Sequence, residues 1–192
     1  MDEFWFYFRE GLFHVLDSNA YDHILFLIVL TVPYAINNWK KLLYLVSLFT
    51  IGHAISLSLA AFDVVKIDSN LIEFLIPVTI IITAIYNIFT AGKKKRAEKM
   101  GLYLITTLFF GLIHGFGFST YFKMMTAGSD NILLPLVEYT LGIEAAQISI
   151  VFVVLLVSFI CQSIFRFSRR DWIMITSAIV IGVVIPILRG TL

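Results

Sequence analysis

Residues 145–165 run without one charged side chain, and residues 24–39, 42–62, 74–91, 102–122 and 172–188 do the same. An α-helix needs about 20 apolar residues to cross a hydrocarbon core of about 30 Å. In lipid the backbone must satisfy its own hydrogen bonds, so a chain built of such runs has to be a bundle of helices. Composition agrees. Hydrophobic residues make up 59% and charged residues 14%, with a mean hydropathy of +0.92, against about 45–50% and about 25% in soluble domains. An ordinary soluble enzyme is excluded, and so is a disordered chain, which needs low hydrophobicity and high charge. A net charge of +1 leaves no basic field to recruit nucleic acid. The lone Cys161 excludes an internal disulfide and any paired-cysteine metal or redox motif.

The predicted architecture is all-α: a polytopic membrane helix bundle in a single transmembrane domain over residues 1–192. Residues 1–18 read as an interfacial segment, because Trp5, Phe6, Tyr7 and Phe8 suit the membrane surface. Asp17-Ser18-Asn19 breaks this short helix and can cap the next. Six spans are expected, at about residues 20–36, 42–62, 70–91, 102–118, 133–165 and 172–188. The fifth exceeds one straight crossing, which predicts either a turn before Gly142 or a tilt.

Lys and Arg set the orientation. Ten of the fourteen fall in alternate loops: Lys40 and Lys41, then Lys93, Lys94, Lys95, Arg96 and Lys99, then Arg166, Arg169 and Arg170. Arg9, Lys66, Lys123 and Arg189 lie on the other side. Both termini are therefore expected outside the cytoplasm. The basic run at 93–99 reads as a topology anchor rather than a nucleic-acid patch.

Against this background the ionisable residues within or at the edge of spans stand out: Asp22, His23, His53, Glu73, His114, Glu138 and Glu144. A charge at a helix centre costs roughly 2.5–3.5 kcal/mol on insertion scales. Carboxylates and imidazoles with no Lys or Arg among them are better explained by convergence on a cation. With the orientation above, all seven fall in the outer half of the bilayer. His53 lies about nine residues, or about 13 Å, before the outer end of its span, and His114 falls in the last turns of its own. The expected metal ligands are Asp22, His23, His53, His114 and Glu144. His14 either joins them or sits in water on the interfacial helix. Thr50 and Ser56 flank His53 at three-residue spacing and are expected to hydrogen-bond its imidazole. Glu144 and Gln147 share a face, and Glu73 and Glu138 would draw cations in. Gly111 and Gly115 form a small-xxx-small face that permits close helix approach. Imidazole with carboxylate suits Zn, Ni, Co or Cu(II).

Asp22-His23 followed by Ile-Leu-Phe-Leu, Phe49-Thr50-Ile51-Gly52-His53, Phe110-Gly111-Leu112-Ile113-His114-Gly115-Phe116-Gly117 and Leu141-Gly142-Ile143-Glu144-Ala145-Ala146-Gln147 resemble, in order, the motifs of the HupE/UreJ family of bacterial membrane proteins. The likeness spans roughly residues 11–150. It implies a membrane permease for nickel or cobalt in a bacterial cytoplasmic (inner) membrane. The family pattern sets a histidine five residues before Asp-His; here seven residues separate His14 from Asp22, a change that rotates a helical side chain by about 200°.

Three functions follow. A nickel/cobalt-type permease would bind its cargo at Asp22, His23, His53, His114 and Glu144. A zinc-dependent intramembrane hydrolase, acting on a lipid or a membrane-anchored peptide, would hold Zn with an open position for water and use Glu144 or Glu73 as general base. A metal sensor or assembly protein would bind without turnover. The expected partners are membrane lipids and a divalent metal ion (Ni, Co or Zn), with no nucleic acid, and the oligomeric state stays open.

Overall fold

The computed structural model describes residues 2–17, 22–93, 100–129 and 131–191. Most of the basic run at 93–99 and the Ser18-Asn19 break lie outside them. The described residues form seven α-helices: α1 (Asp2–Leu16), α2 (Asp22–Thr31), α3 (Trp39–Ala61), α4 (Ser69–Thr90), α5 (Met100–Met125), α6 (Leu133–Ser163) and α7 (Arg169–Gly190). A 3-10 turn at Ile36–Asn38 joins α2 to α3. Among the described residues five helices, α3 to α7, are long and apolar enough to cross a membrane.

The first expected span, at 20–36, is where sequence and structure part. Among the described residues of 20–36, the α-helix is Asp22–Thr31, about 15 Å of rise, half of what a crossing needs. The reason is burial. His23, Leu25, Phe26, Leu27, Val29, Leu30 and Thr31 are all enclosed, so α2 is apolar on every side because protein surrounds it. Asn87 of α4 donates its amide to the Val29 carbonyl at 2.6 Å, satisfying a helix end that has no water to turn to. Asn87→Ala should cost about 1–3 kcal/mol, the penalty for an orphaned buried acceptor, read as a lower thermal midpoint in detergent.

α6 is one unbroken helix of 31 residues, which removes the first of the two alternatives expected for it, a turn before Gly142. α1 packs along it, and Tyr7, Gly11 and Val15 form one buried stripe at helical spacing. A Cβ on Gly11 would overlap the Tyr139 carbonyl, and one on Gly142 the Phe8 carbonyl. The α3–α5 pair is similarly close. There Gly52 meets the Leu108 backbone, Gly111 the Phe49 backbone, and Gly115 the His53 backbone and the Ser56 hydroxyl, as the small-xxx-small face predicts.

Helix starts follow local chemistry. Asp68 accepts the Asn70 amide at 2.9 Å, and Ser168 accepts the Asp171 amide at 3.1 Å while donating to its carboxylate at 2.6 Å. The two ends of the bundle differ. At one, Arg169 donates to the Pro33 carbonyl and Arg170 packs against Gly92, so the links after α2, after α4 and before α7 lie together with the basic residues. At the other, Lys123 reaches Asp63 at 2.7 Å and Tyr121 donates to Glu10 at 3.0 Å. The hydrogen bond and charge of Lys123 hold the Asp63 carboxyl below the usual carboxylate range.

Candidate metal centre

Four helices carry one histidine each, and all four of the chain's histidines meet in the middle of the bundle. His14 comes from the last turn of α1 and His23 from the first turn of α2; His53 and His114 sit at the tight α3–α5 crossing. His23 is the hub. Its ring centroid lies 4.7 Å from His14, 5.1 Å from His114 and 5.7 Å from His53, while His14 and His53 are 5.8 Å apart. His23, His53 and His114 are buried, His53 completely. Asp22 keeps 23% exposure and bonds His23 Nδ1 at 3.2 Å.

Three ligand atoms, one each from Asp22, His23 and His114, lie within 4.8 Å of one another, the one such group of His, Cys, Asp or Glu among the described residues. More telling are the atoms with nothing to bond. His14 Nε2, His23 Nε2, both nitrogens of His53 and His114 Nδ1 are buried without a hydrogen-bond partner. Each such group costs about 1–3 kcal/mol, and native interiors rarely tolerate several together. A divalent metal would use these nitrogens, and borderline ions such as Zn, Co and Ni fit imidazole with one carboxylate. Aromatic rings close the site. Phe26 and Phe49 lie 5.3 and 5.1 Å from His114, and Phe118 lies 3.7 Å from His14 and stacks on Tyr139.

Not every expected partner is here. Neither Thr50 nor Ser56 bonds the His53 imidazole. Ser56 Oγ donates to the Gly52 and His53 carbonyls, and Thr50 Oγ1 faces the Val46 carbonyl, the usual recourse of a hydroxyl inside a helix. Thr50 also turns to α6, where it meets Glu144 and Gln147, and Ser47 donates to Glu144 at 2.6 Å. Glu144 is thus held by hydroxyls, outside the Asp22–His23–His114 group. Glu73 is exposed near the start of α4, and Glu138 is 6% exposed with Oε2 unpartnered. His14, in doubt from its spacing, is brought to the cluster. Sequence reasoning missed Thr79, whose Oγ1 lies 3.4 Å from His114 Nε2; a threonine in an apolar helix gives no signal of its own.

Depth also changes. α5 extends to Met125 rather than ending near Phe118, so His114 sits close to the middle of the apolar stretch Leu104–Met125 instead of in its last turns. Thr79, beside it, is close to the middle of α4.

Fold and site together define a class: an integral membrane helix bundle with a possible metal-binding group, Asp22, His23 and His114, in its interior. The chain belongs to the HupE/UreJ family, whose model, described as HupE / UreJ protein, matches residues 1–188. No curated protein and no solved structure matches it.

Proposed function

We propose that this protein is a permease for a divalent transition metal, nickel or cobalt first, with Asp22, His23, His53, His114 and His14 as the cargo site. The observation that carries the reading is the set of five buried, unpartnered imidazole nitrogens around an Asp-His pair. Family membership supports the same metals.

The arrangement of α1 and α2 adds to it. α1 ends and α2 begins at the histidines, yet they run to opposite ends of the bundle: Glu10 of α1 bonds Tyr121, while Pro33 beyond α2 bonds Arg169. Together they make a sixth crossing in two pieces. Their 15 and 10 residues give about 37 Å of rise, enough for the core. Transporter sites are commonly built where a helix is broken at mid-depth, and the carbonyl end of a half-helix favours a cation. His14 lies at that end of α1. By the positive-inside rule the Arg169 end faces the cytoplasm of a bacterial inner membrane, and both termini face out.

The hydrolase reading needs a carboxylate beside the metal that is free to take a proton. Glu144 accepts from Ser47 and Thr50, and Glu73 is exposed at the start of α4, so transport is the better supported of the two. Proteoliposomes holding the purified protein should take up Co2+ or Ni2+, and Asp22→Asn should abolish the uptake. A flat trace from wild-type protein that binds the metal would overturn the permease reading and favour a sensor or assembly role.

A further inference from the structure

One helical turn from His53 toward the basic end of α3, a second polar group lies in the seam between α3 and α6. It consists of Ser47, Thr50, Glu144 and Gln147. Its donor atoms are oxygens: Ser47 Oγ, Thr50 Oγ1, both carboxylate oxygens of Glu144, Gln147 Oε1 and, 3.1 Å from Thr50, the Val46 carbonyl.

The hydrogens do not suffice for these oxygens. A hydroxyl carries one hydrogen, and Thr50 Oγ1 stands against three acceptors: the Val46 carbonyl, Gln147 Oε1 at 2.9 Å and Glu144 Oε2. Ser47 has one hydrogen and spends it on Glu144 Oε1. Meanwhile Gln147, fully buried, leaves its Nε2 without a partner. Turning the amide over would give Thr50 a second hydrogen, but the carbonyl oxygen would become the buried orphan instead, and the charge would remain. That charge is the larger problem. Glu144 lies in a helix whose 31 residues include no Lys, Arg or His and one other carboxylate, Glu138. Its recorded partners are hydroxyls, with no Lys, Arg or His among them. A carboxylate at this depth calls for a cation.

We propose that Ser47, Thr50, Glu144 and Gln147 form a second cation site, distinct from the histidine centre, that takes a monovalent alkali cation of the sodium class. Donor chemistry sets the class, since carboxylate, hydroxyl and amide oxygens without imidazole or sulfur suit hard ions. Charge sets the valence, because one carboxylate balances one positive charge. A sodium ion beside Glu144 would take lone pairs where hydrogens are lacking and would balance the carboxylate. The side chains of Ser47 and Glu144 are only partly enclosed, which leaves the ion a way in along the seam. The inference does not depend on whether the histidine centre passes its metal on.

The test is thermal unfolding of the detergent-purified full chain in sodium chloride against choline chloride at equal ionic strength. Sodium should raise the midpoint by about 3 °C or more at concentrations well above its dissociation constant. Glu144→Gln should abolish that shift while keeping Co2+ binding, which also reports that the variant is folded. Asp22→Asn should do the reverse, keeping the sodium shift and losing Co2+. Ser47→Ala, a change at the partly open side of the seam, should shrink the shift and covers the case in which Glu144→Gln does not fold. No sodium-specific shift in wild type overturns the proposal, as does a full shift surviving Glu144→Gln or Ser47→Ala. A stabilisation that follows pH and ignores sodium would mean that a proton balances Glu144 and would equally overturn it.

Discussion

His23→Ala is expected to lower the affinity for Co2+ or Ni2+ by more than about 100-fold while leaving the helix content unchanged. His23 is the hub of the cluster, within 5.7 Å, ring to ring, of each other histidine. It also orients Asp22 through the 3.2 Å contact at Nδ1. Removing a group that only orients a ligand already costs 10–100-fold in many metal sites, and this residue both binds and orients. Stability should move the other way from an ordinary core deletion. Emptying an imidazole site costs some packing, yet it removes a buried nitrogen that lacks a partner in the metal-free protein. The checks are equilibrium titration with Co2+, followed by its visible absorption, and far-UV circular dichroism on the same samples. Unchanged Co2+ affinity would separate the cluster from metal binding.

Gly111→Val should prevent the bundle from assembling. A Cβ at this position would overlap the Phe49 carbonyl oxygen, carbonyl carbon and Cα. These are backbone atoms within α3 and cannot rotate away. Overpacking against movable side chains costs typically 1–3 kcal/mol; forcing two helix backbones apart should cost about 3 kcal/mol or more and shift His53 and His114, which sit on the two sides of this crossing. Gly182→Ala is the control, since nothing lies within 4 Å of its Cβ, and Ala favours a helix over Gly. Purification yield and thermal midpoint of the two proteins should separate cleanly. A Gly111→Val protein as stable as wild type would show that the α3–α5 contact is looser than described.

Much of this was legible in the sequence, for reasons that can be named. The helices α3, α4, α6 and α7 follow from uncharged runs, because lipid leaves the backbone no alternative. Asp22, His23, His53 and His114 were legible because each interrupts such a run, and a polar group there needs a partner. The Gly111–Gly115 face was legible because small residues at four-residue spacing mark close approach. What escaped depended on how one helix sits against another. α2 could not be told from a span, because a short buried helix and a membrane helix are both apolar all round. The role of His14 depends on how α1 is set against α2, and spacing along the chain says nothing about that. Thr50 was expected to serve its near neighbour His53, yet its partners on α6 lie more than ninety residues away in the chain. Glu144 was grouped with the histidines because a carboxylate in an apolar helix looks like a ligand. The register between α3 and α6 gives it hydroxyl partners instead.

The central claim is that the four histidines and Asp22 hold a divalent metal. The most direct measurement is elemental analysis by mass spectrometry of the purified protein, equilibrated with Co2+ or Ni2+ and then desalted, beside Asp22→Asn and His53→Ala. About one metal per chain in wild type, released by chelator and absent from both variants, is the expected result. No metal in wild type under any condition, or the same content in all three proteins, would contradict the account and leave the cluster a polar network without an ion.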